Sequence, residues 1–303
     1  MKSKMILLTV IFGFVLLPPA TSFSGALYSA LQKKNDALAQ QLVTLKIQEA
    51  YQQDGVVRVA NVLSQDWINR LQQACTLAEV QPGPHAEYLQ APTDTTAKYF
   101  TDLELSNRLE IYKEFSSRSP CAAIAGHVMG CTETRFFYDQ LFLKPEGVSI
   151  PTPWHQDGSY WSVEGGHICS VFCALDEVKP EEGLWFVTDT HSWPLYNRRH
   201  FSNGTPYQES ASDMPELPDI DALVDTNDQH AYFQFHLNPG DALVFNNRIV
   251  HGGPGNYGRA LSTRWVGEGT AWATQGVVPT NRVGDAGAPL DQDDAFPLTW
   301  QRD

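Results

Sequence analysis

Apolar residues in the first part of the chain recur at the spacing of amphipathic helices. One helix is predicted from Ser64, as its N-terminal cap, to about Ala78. Its apolar face would consist of Trp67, Leu71 and Cys75. An earlier helix is predicted within residues 25–53, because leucines occur there at near-helical spacing, namely Leu27, Leu31, Leu38, Leu42 and Leu45.

From Arg135 onward, the pattern changes to the period of two that is typical of β-strands. Side chains from 137 to 143 alternate between two faces, and residues 168–175 are nearly all apolar. Proline and glycine separate these short runs, as in an all-β sandwich or barrel. Residues 197–230 are polar and contain several prolines, which indicates a long insertion loop. Loops of that length in compact domains are usually functional or disordered.

The N-terminus has the organisation of a targeting signal. Lys2 and Lys4 precede an apolar stretch, residues 5–17, and prolines and small residues follow it. The stretch is shorter than the roughly 20 residues that a bilayer span requires, so we expect no stable membrane span in the mature chain. We divide the chain into a signal or targeting segment, residues 1–22, and a single domain, residues 23–303. We expect delivery to the secretory pathway or to an organelle; the alternative is that residues 5–17 remain uncleaved and hold the protein close to a membrane.

Composition restricts the classes of partner. The chain has 303 residues, of which 42% are hydrophobic, and these suffice for a large soluble domain. Its formal net charge is −14, whereas nucleic acid phosphates require clustered cations. We therefore expect a small-molecule substrate rather than nucleic acid, and we expect the protein to be a monomer. The five cysteines, an odd number, are predicted to be mostly buried apolar residues.

The sequence His155-Gln156-Asp157 carries the clearest chemical signal in the chain. On an extended strand, residues two apart point to the same side, so His155 and Asp157 can direct an imidazole nitrogen and a carboxylate oxygen at one point. A histidine two residues before an aspartate also arises by chance. A strand-end histidine that is hydrogen-bonded to an aspartate in a turn has the same sequence. The context downstream favours the functional interpretation.

That context consists of a turn, a strand and a second histidine. Residues 239–241 predict a turn, residues 242–245 predict a buried strand, and His251 follows. With the first two ligands, His251 would complete a 2-His-1-carboxylate set, which leaves three positions on Fe(II) open for a cosubstrate and O₂. Arg259 and Arg264 lie on the next predicted strand. Such cations suit a dicarboxylate cosubstrate, because guanidinium groups bind carboxylates bidentately.

Longer stretches around these motifs are similar to one known family. They are residues 54–59, 135–147, 154–157, 182–187 with His191, 239–245 and 251–265. Together they resemble the phytanoyl-CoA dioxygenase (PhyH) family of Fe(II)- and 2-oxoglutarate-dependent oxygenases, over roughly residues 45–270. The resemblance implies a mainly β fold with flanking helices, the double-stranded β-helix (jelly roll, cupin-like).

The same resemblance implies a reaction. Fe(II) would be bound by His155, Asp157 and His251, with 2-oxoglutarate and O₂ as cosubstrates. The dioxygenase would hydroxylate a small organic metabolite, or oxidatively cyclise or desaturate it, while 2-oxoglutarate is decarboxylated to succinate. The alternative from a different class is a non-catalytic, cupin-like module that binds a metal or a ligand. A complete triad followed by an arginine favours the enzyme.

Two arginines are candidates for binding the far carboxylate of 2-oxoglutarate. Family members often have an arginine where this chain has Gly258. On a regular strand, Arg264 shares the inward face with Ser262, which can donate a hydrogen bond to the same carboxylate, and Arg259 points away. A bulge near residue 259 would reverse this arrangement. We favour Arg264.

Three more side chains are candidate contacts of the cosubstrate. Tyr138 and Gln140 alternate toward the same side of the strand that precedes the iron-binding segment, although core packing accounts for them equally well. Phe172 falls where the family places an aromatic residue beside the cosubstrate.

Overall fold

The computed structural model describes residues 45–90, 98–145, 150–207, 214–256, 258–273, 276–277 and 284–302. The predicted targeting segment, residues 1–22, lies outside the described residues, as does most of the first predicted helix. The end of that helix is confirmed, since residues 45–54 are helical and form α1. Among the helices of these ranges, none has the length and apolar character needed to cross a membrane.

Amphipathic helices flank the sheets, as the sequence predicts. The Ser64 Oγ accepts a hydrogen bond from the backbone N–H of Trp67 at 3.3 Å, so the predicted cap is confirmed. Leu71 and Cys75 are buried, whereas Trp67 lies at the edge of the core with its ring against Phe115. The helices after α1 in the described ranges are α2 (Gln65–Val80), α3 (Glu110–Arg118), α4 (Cys121–Met129) and α5 (Ile220–Thr226).

The strands form antiparallel sheets. In chain order they are β1 (Val56–Val59), β2 (Glu87–Gln90), β3 (Lys98–Leu103), β4 (Glu133–Leu143), β5 (Thr152–His155), β6 (Val163–Glu164), β7 (Ile168–Ala174), β8 (Trp185–Val187), β9 (Tyr232–Phe233), β10 (Ala242–Asn246), β11 (His251–Gly253), β12 (Arg259–Gly267), β13 (Ala271–Trp272) and β14 (Leu298–Gln301). The larger sheet has the order β1-β10-β7-β12-β4-β3-β2, with β14 also paired to β4. A smaller sheet has the order β5-β11-β8-β9, and β13 pairs with β6.

The larger sheet is buried on both faces. Val171 and Leu261 belong to a core cluster that includes residues of α2, α3 and α4. Phe172 and Phe245 project from the other face into a second cluster with the smaller sheet, where the rings of Phe186 and Phe245 are 5.2 Å apart. Burial on both sides explains why β7 is apolar along almost its whole length. Two facing antiparallel sheets with helices outside confirm the predicted jelly roll.

The segment predicted as a long loop, residues 197–230, contains regular structure in its described part. Arg199 and Pro206 form an antiparallel bridge, and Asp219 caps α5 by accepting a hydrogen bond from the backbone N–H of Ala222 at 3.1 Å. The prediction of a continuous loop is therefore wrong here. The few apolar residues of α5 pack against the smaller sheet, a tertiary contact that the local pattern of prolines and polar residues does not indicate.

Candidate metal centre

Strand pairing in the smaller sheet brings the three predicted metal ligands together. His155 is the last residue of β5 and pairs directly with His251, the first residue of β11. Gln156 continues the extended backbone, and Asp157 then begins a short 3-10 turn. The Asp157 Oδ1 lies 3.5 Å from the Nε2 of His155 and 3.7 Å from the Nε2 of His251. One ligand atom from each side chain lies within 4.8 Å of the others, and all three residues are buried.

Backbone carbonyls fix the orientation of both imidazole rings. The Nδ1 of His155 lies 2.8 Å from the carbonyl oxygen of Pro153, and the Nδ1 of His251 lies 3.0 Å from that of Ile249. Because a carbonyl accepts hydrogen bonds, each Nδ1 carries the proton and donates it. The lone pair of each Nε2 is then directed at the shared point. This arrangement is common for histidines that bind metals.

The electrostatics of the triad suit a divalent cation. Burial by itself would raise the pKa of the Asp157 carboxyl, but electrostatic interactions with His155, His251 and Arg264 outweigh burial and hold the pKa below its usual range. Burial, aided by the neighbouring His155, lowers the pKa of His251 to about 3. An ionised carboxylate and a neutral imidazole are the forms that bind a metal, so this donor set fits Fe(II).

The middle residue of the motif holds the metal-binding turn in place. The Gln156 Nε2 donates hydrogen bonds to the carbonyls of Pro194, at 3.1 Å, and Arg248, at 2.7 Å. Its Oε1 accepts a hydrogen bond from the backbone N–H of Tyr196 at 2.9 Å. A buried amide side chain thus connects the turn to the segment that leads into His251. Sequence reasoning missed this role, because a single glutamine gives no periodic signal.

The triad opens into a cavity of about 600 Å³. Five of the six side chains predicted to contact the cosubstrate line this cavity together with the three ligands, namely Tyr138, Gln140, Phe172, Ser262 and Arg264. Register explains the clustering, since Ser262 of β12 pairs with Gln140 of β4 on one side and with Phe172 of β7 on the other. Paired residues of neighbouring strands project to the same side of a sheet.

Arg264 is buried at the inner end of the cavity, with only 4% of its surface exposed. Its Nη2 donates a hydrogen bond to the Gln140 Oε1 at 2.9 Å, its Nη1 donates one to the Ser262 carbonyl at 3.0 Å, and its guanidinium lies 4.8 Å from the centre of the Tyr138 ring. The Arg264 Nε and the Ser262 Oγ are buried without a hydrogen-bond partner in the part of the chain that the structure describes. Buried polar atoms rarely lack partners, so these two donors fit a bound carboxylate.

Arg259 is not brought to this cavity. Its Nε and Nη2 donate hydrogen bonds to the two carboxylate oxygens of Asp176 at 2.9 and 2.6 Å, and its side chain is partly exposed. The register of β12 against β4 is continuous at residue 259 and shifts between Arg264 and Trp265. The bulge that would turn Arg259 inward is therefore absent from β12 as the structure describes it.

Sequence reasoning also missed a residue that binds Asp157 and two that line the cavity. Ser170 of β7 donates a hydrogen bond from its Oγ to the Asp157 Oδ2 at 2.7 Å, yet in the sequence it is one small residue in an apolar run. Phe201 and Tyr207 line the cavity from within the predicted insertion loop. Their position depends on tertiary contacts, so no local pattern could have indicated it.

Comparison with protein families identifies the class. The model of the family described as Phytanoyl-CoA dioxygenase (PhyH) matches residues 51–265, and the chain therefore belongs to this family. It is accordingly a 2-oxoglutarate-dependent dioxygenase, with Fe(II) as cofactor and 2-oxoglutarate and O₂ as cosubstrates, as the sequence predicts. No curated protein matches the chain.

Solved structures share the fold at low sequence identity. The non-heme alpha-ketoglutarate-dependent epimerase SnoN from nogalamycin biosynthesis is 18% identical, with a TM-score of 0.65 over 87% of this chain and 98% of SnoN. The carbocyclase SnoK from the same biosynthesis is 18% identical, with a TM-score of 0.64 over 84% of this chain and 96% of SnoK. EctD from S. alaskensis, solved with 2-oxoglutarate and 5-hydroxyectoine, is 19% identical, with a TM-score of 0.55 over 75% of this chain and 77% of EctD. These similarities support the jelly-roll fold.

Proposed function

We propose that the inner end of the cavity is the site at which this dioxygenase oxidises a small organic metabolite. In this proposal His155, Asp157 and His251 hold Fe(II), and Arg264 binds the far carboxylate of 2-oxoglutarate. The observation that carries the proposal is the cavity that the buried triad shares with the Arg264 Nε and the Ser262 Oγ, two donors that have no hydrogen-bond partner among the described residues. A pure binding module has no use for open metal positions beside a carboxylate clamp.

Each group has a distinct task in this proposal. The bound metal with 2-oxoglutarate and O₂ supplies the oxidising power that removes hydrogen from an unactivated carbon. Arg264 and Ser262 orient the cosubstrate through a charge-assisted bidentate contact and a hydroxyl donor. Gln140 holds the guanidinium in place by accepting its Nη2 hydrogen bond. The aromatic walls exclude water, which protects the reaction from side products.

The proposed outcome for the substrate is hydroxylation, ring closure or desaturation. All three begin with removal of one hydrogen, and the epimerase and carbocyclase among the structural neighbours are named for other outcomes than hydroxylation. Halogen transfer is excluded from the proposal. It requires a halide at the metal, whereas an anionic oxygen of Asp157 would already fill that position by volume and by charge.

The direct test of the proposed function is succinate release. Purified protein with Fe(II), 2-oxoglutarate and O₂ should release succinate, and omission of Fe(II) should stop the release. No succinate release in the presence of a broad panel of metabolites would instead favour the non-catalytic, cupin-like binding module.

We also propose that residues 1–22 direct the protein to the secretory pathway or to an organelle. The support is the order of basic, apolar and small residues at the N-terminus. A reporter fused after residue 24 should leave the cytosol, and a reporter with Lys2, Lys4 and residues 5–17 deleted should remain there. We also propose that the domain is a monomer, and sedimentation of the purified protein tests this.

A further inference from the structure

The lining of the cavity has two chemically different parts. One part consists of the triad and the group around Arg264. The other part includes apolar and aromatic side chains of β2, β3 and residues 198–207, among them Leu89, Tyr99, Phe201 and Tyr207. A substrate that fills the cavity therefore contacts both parts.

The segment 198–207 is fastened to the metal-binding turn. Its two sides are joined by backbone hydrogen bonds, from Tyr207 to Arg198 at 3.0 Å and from His200 to Thr205 at 2.8 Å. The Tyr160 hydroxyl donates to the Arg199 carbonyl at 2.6 Å. Because Tyr160 ends the turn that begins at Asp157, the wall and a metal ligand belong to one connected unit.

Phe201 lies at the tip of this segment and reaches the metal centre. Its ring meets the His155 ring edge-on, with centroids 4.8 Å apart and planes at 84°. The same ring is stacked on Tyr160, with centroids 5.3 Å apart and planes at 28°. Phe201 keeps 36% of its surface exposed, although its ring contacts those of His155 and Tyr160. An aromatic side chain is therefore partly accessible beside a metal ligand.

Charge around the cavity disfavours a polyanionic substrate. Arg264 is the one lysine or arginine that lines the cavity among the described residues, and it is assigned to 2-oxoglutarate. Glu87, His85 and His200 also line the cavity, whereas Arg198 is not part of its lining and lies 5.3 Å from the centre of the Tyr207 ring. The phosphates of a coenzyme A thioester require several converging cations.

We propose that the substrate is an uncharged, ring-containing metabolite rather than an acyl-coenzyme A thioester, and that Phe201 sets this specificity by stacking on the ring beside the metal. This inference rests on the proposed function, since it places the ring next to the reacting centre. Offset-stacked and edge-to-face aromatic pairs contribute attraction beyond the burial of their area. A rigid ring also loses little conformational entropy when it binds.

Binding of probes to the full protein tests the proposal without turnover. The protein, loaded with Zn(II) in place of Fe(II) and with 2-oxoglutarate, is titrated calorimetrically with 2-naphthol, indole and dodecanoyl-coenzyme A. We expect saturable binding of the two ring probes and none of the thioester. Phe201→Ala should weaken ring binding by on the order of tenfold, because stacking and apolar contact are lost together. Phe201→Tyr keeps the ring and should retain binding.

The matched control is Leu298→Ala, which removes an exposed apolar side chain of β14, away from the cavity. Its ring binding should equal that of the wild type. The proposal would be overturned if Phe201→Ala binds the ring probes with wild-type affinity or if neither ring probe binds the wild type. It would also be overturned if the thioester binds more tightly than the ring probes. If the protein releases succinate but binds neither ring probe, the proposed substrate class is wrong and the proposed function stands. If it binds the ring probes through Phe201 but never releases succinate, the ring-binding role of Phe201 stands and the proposed function is wrong.

Discussion

The hydroxyl of Ser170 holds one oxygen of the Asp157 carboxylate, leaving the other for the metal. The Ser170 Oγ donates to the Asp157 Oδ2 at 2.7 Å, while the Oδ1 is the atom that faces both histidines. Ser170 lies on β7 of the larger sheet and Asp157 begins the 3-10 turn after β5, so this hydrogen bond also connects the larger sheet to the metal-binding turn. Asp157 is thereby oriented as a ligand that offers a single oxygen.

Ser170→Ala should free the Oδ2 to approach the metal and occupy a position that 2-oxoglutarate needs. We expect a loss of 10- to 100-fold in activity or metal affinity, the range typical when a hydrogen bond behind a metal ligand is removed. The absorption spectrum of the Co(II)-substituted protein, which reports coordination number, should change. Ser170→Thr keeps the hydroxyl and serves as the control. An alanine variant with the wild-type spectrum would show that Ser170 does not orient the carboxylate.

Replacing the two arginines of β12 should have unequal effects on the 2-oxoglutarate requirement. Arg264→Leu removes a buried charge-assisted contact of roughly 2–4 kcal/mol, so the concentration for half-maximal succinate release should rise by about one and a half to three decades. Arg259→Leu removes a partly exposed pair with Asp176 and should cost at most about 1 kcal/mol of stability. Initial rates over a 2-oxoglutarate series compare the 2-oxoglutarate requirement of the two variants. The opposite ranking would identify Arg259 as the clamp.

Halide should be excluded from the metal centre of the wild-type protein. The Asp157 carboxylate fills one metal position with a negative oxygen, so the enzyme in chloride buffer should give only oxygenated, cyclised or desaturated products. Mass spectrometry of the products measures this, and a chlorinated product would contradict it. Asp157→Gly is the variant to compare with the wild type, because removal of the carboxylate should allow the metal-loaded protein to bind chloride even without turnover.

Asp139 should make the free energy of unfolding depend on pH. Burial raises the pKa of Asp139 to about 7, despite hydrogen bonds from the backbone of Leu105 and Ser106. The unfolded chain has an aspartate pKa near 4, so stability contributed by the protonated carboxyl is full below about pH 4 and is lost as pH rises through 7.

Asp139→Asn should flatten this dependence by up to a few kcal/mol, since each pKa unit corresponds to about 1.4 kcal/mol. Urea unfolding at several values between pH 4 and 8 gives the comparison. The exposed Asp66→Asn serves as the control and should follow the wild type. If the free energy of unfolding of the wild type and of Asp139→Asn changed with pH in the same way, Asp139 would not be the source of the pH dependence.

Local pattern was sufficient where a feature depends on neighbouring residues in the sequence. The period of two along β4 placed Tyr138 and Gln140 on one face, and the same period along β12 separated Arg264 from Arg259. The jelly roll followed from resemblance rather than from periodicity, which indicated only short buried strands. The triad needed both the local spacing at 155–157 and a distant histidine.

The remaining features depend on tertiary contacts that sequence reasoning could not use. Ser170 acquires its role because β7 lies behind the metal-binding turn. Phe201 reaches His155 because Tyr160 anchors its segment. In both cases a single residue acts through a contact that forms only in the folded chain, so no repeating pattern marks it.

An anaerobic titration of the Fe(II)-loaded protein with 2-oxoglutarate tests the assignment of the metal ligands most directly. A keto acid that chelates Fe(II) through two atoms gives a visible charge-transfer absorption, which reports the complex before any turnover. We expect one Fe(II) per chain and a saturable absorption in the wild type. His155→Ala, Asp157→Ala and His251→Ala should each remain folded but bind Fe(II) weakly and give no such absorption, whereas the exposed His236→Ala should match the wild type. Full Fe(II) binding and absorption in any of the three triad variants would show that the replaced side chain does not hold the metal.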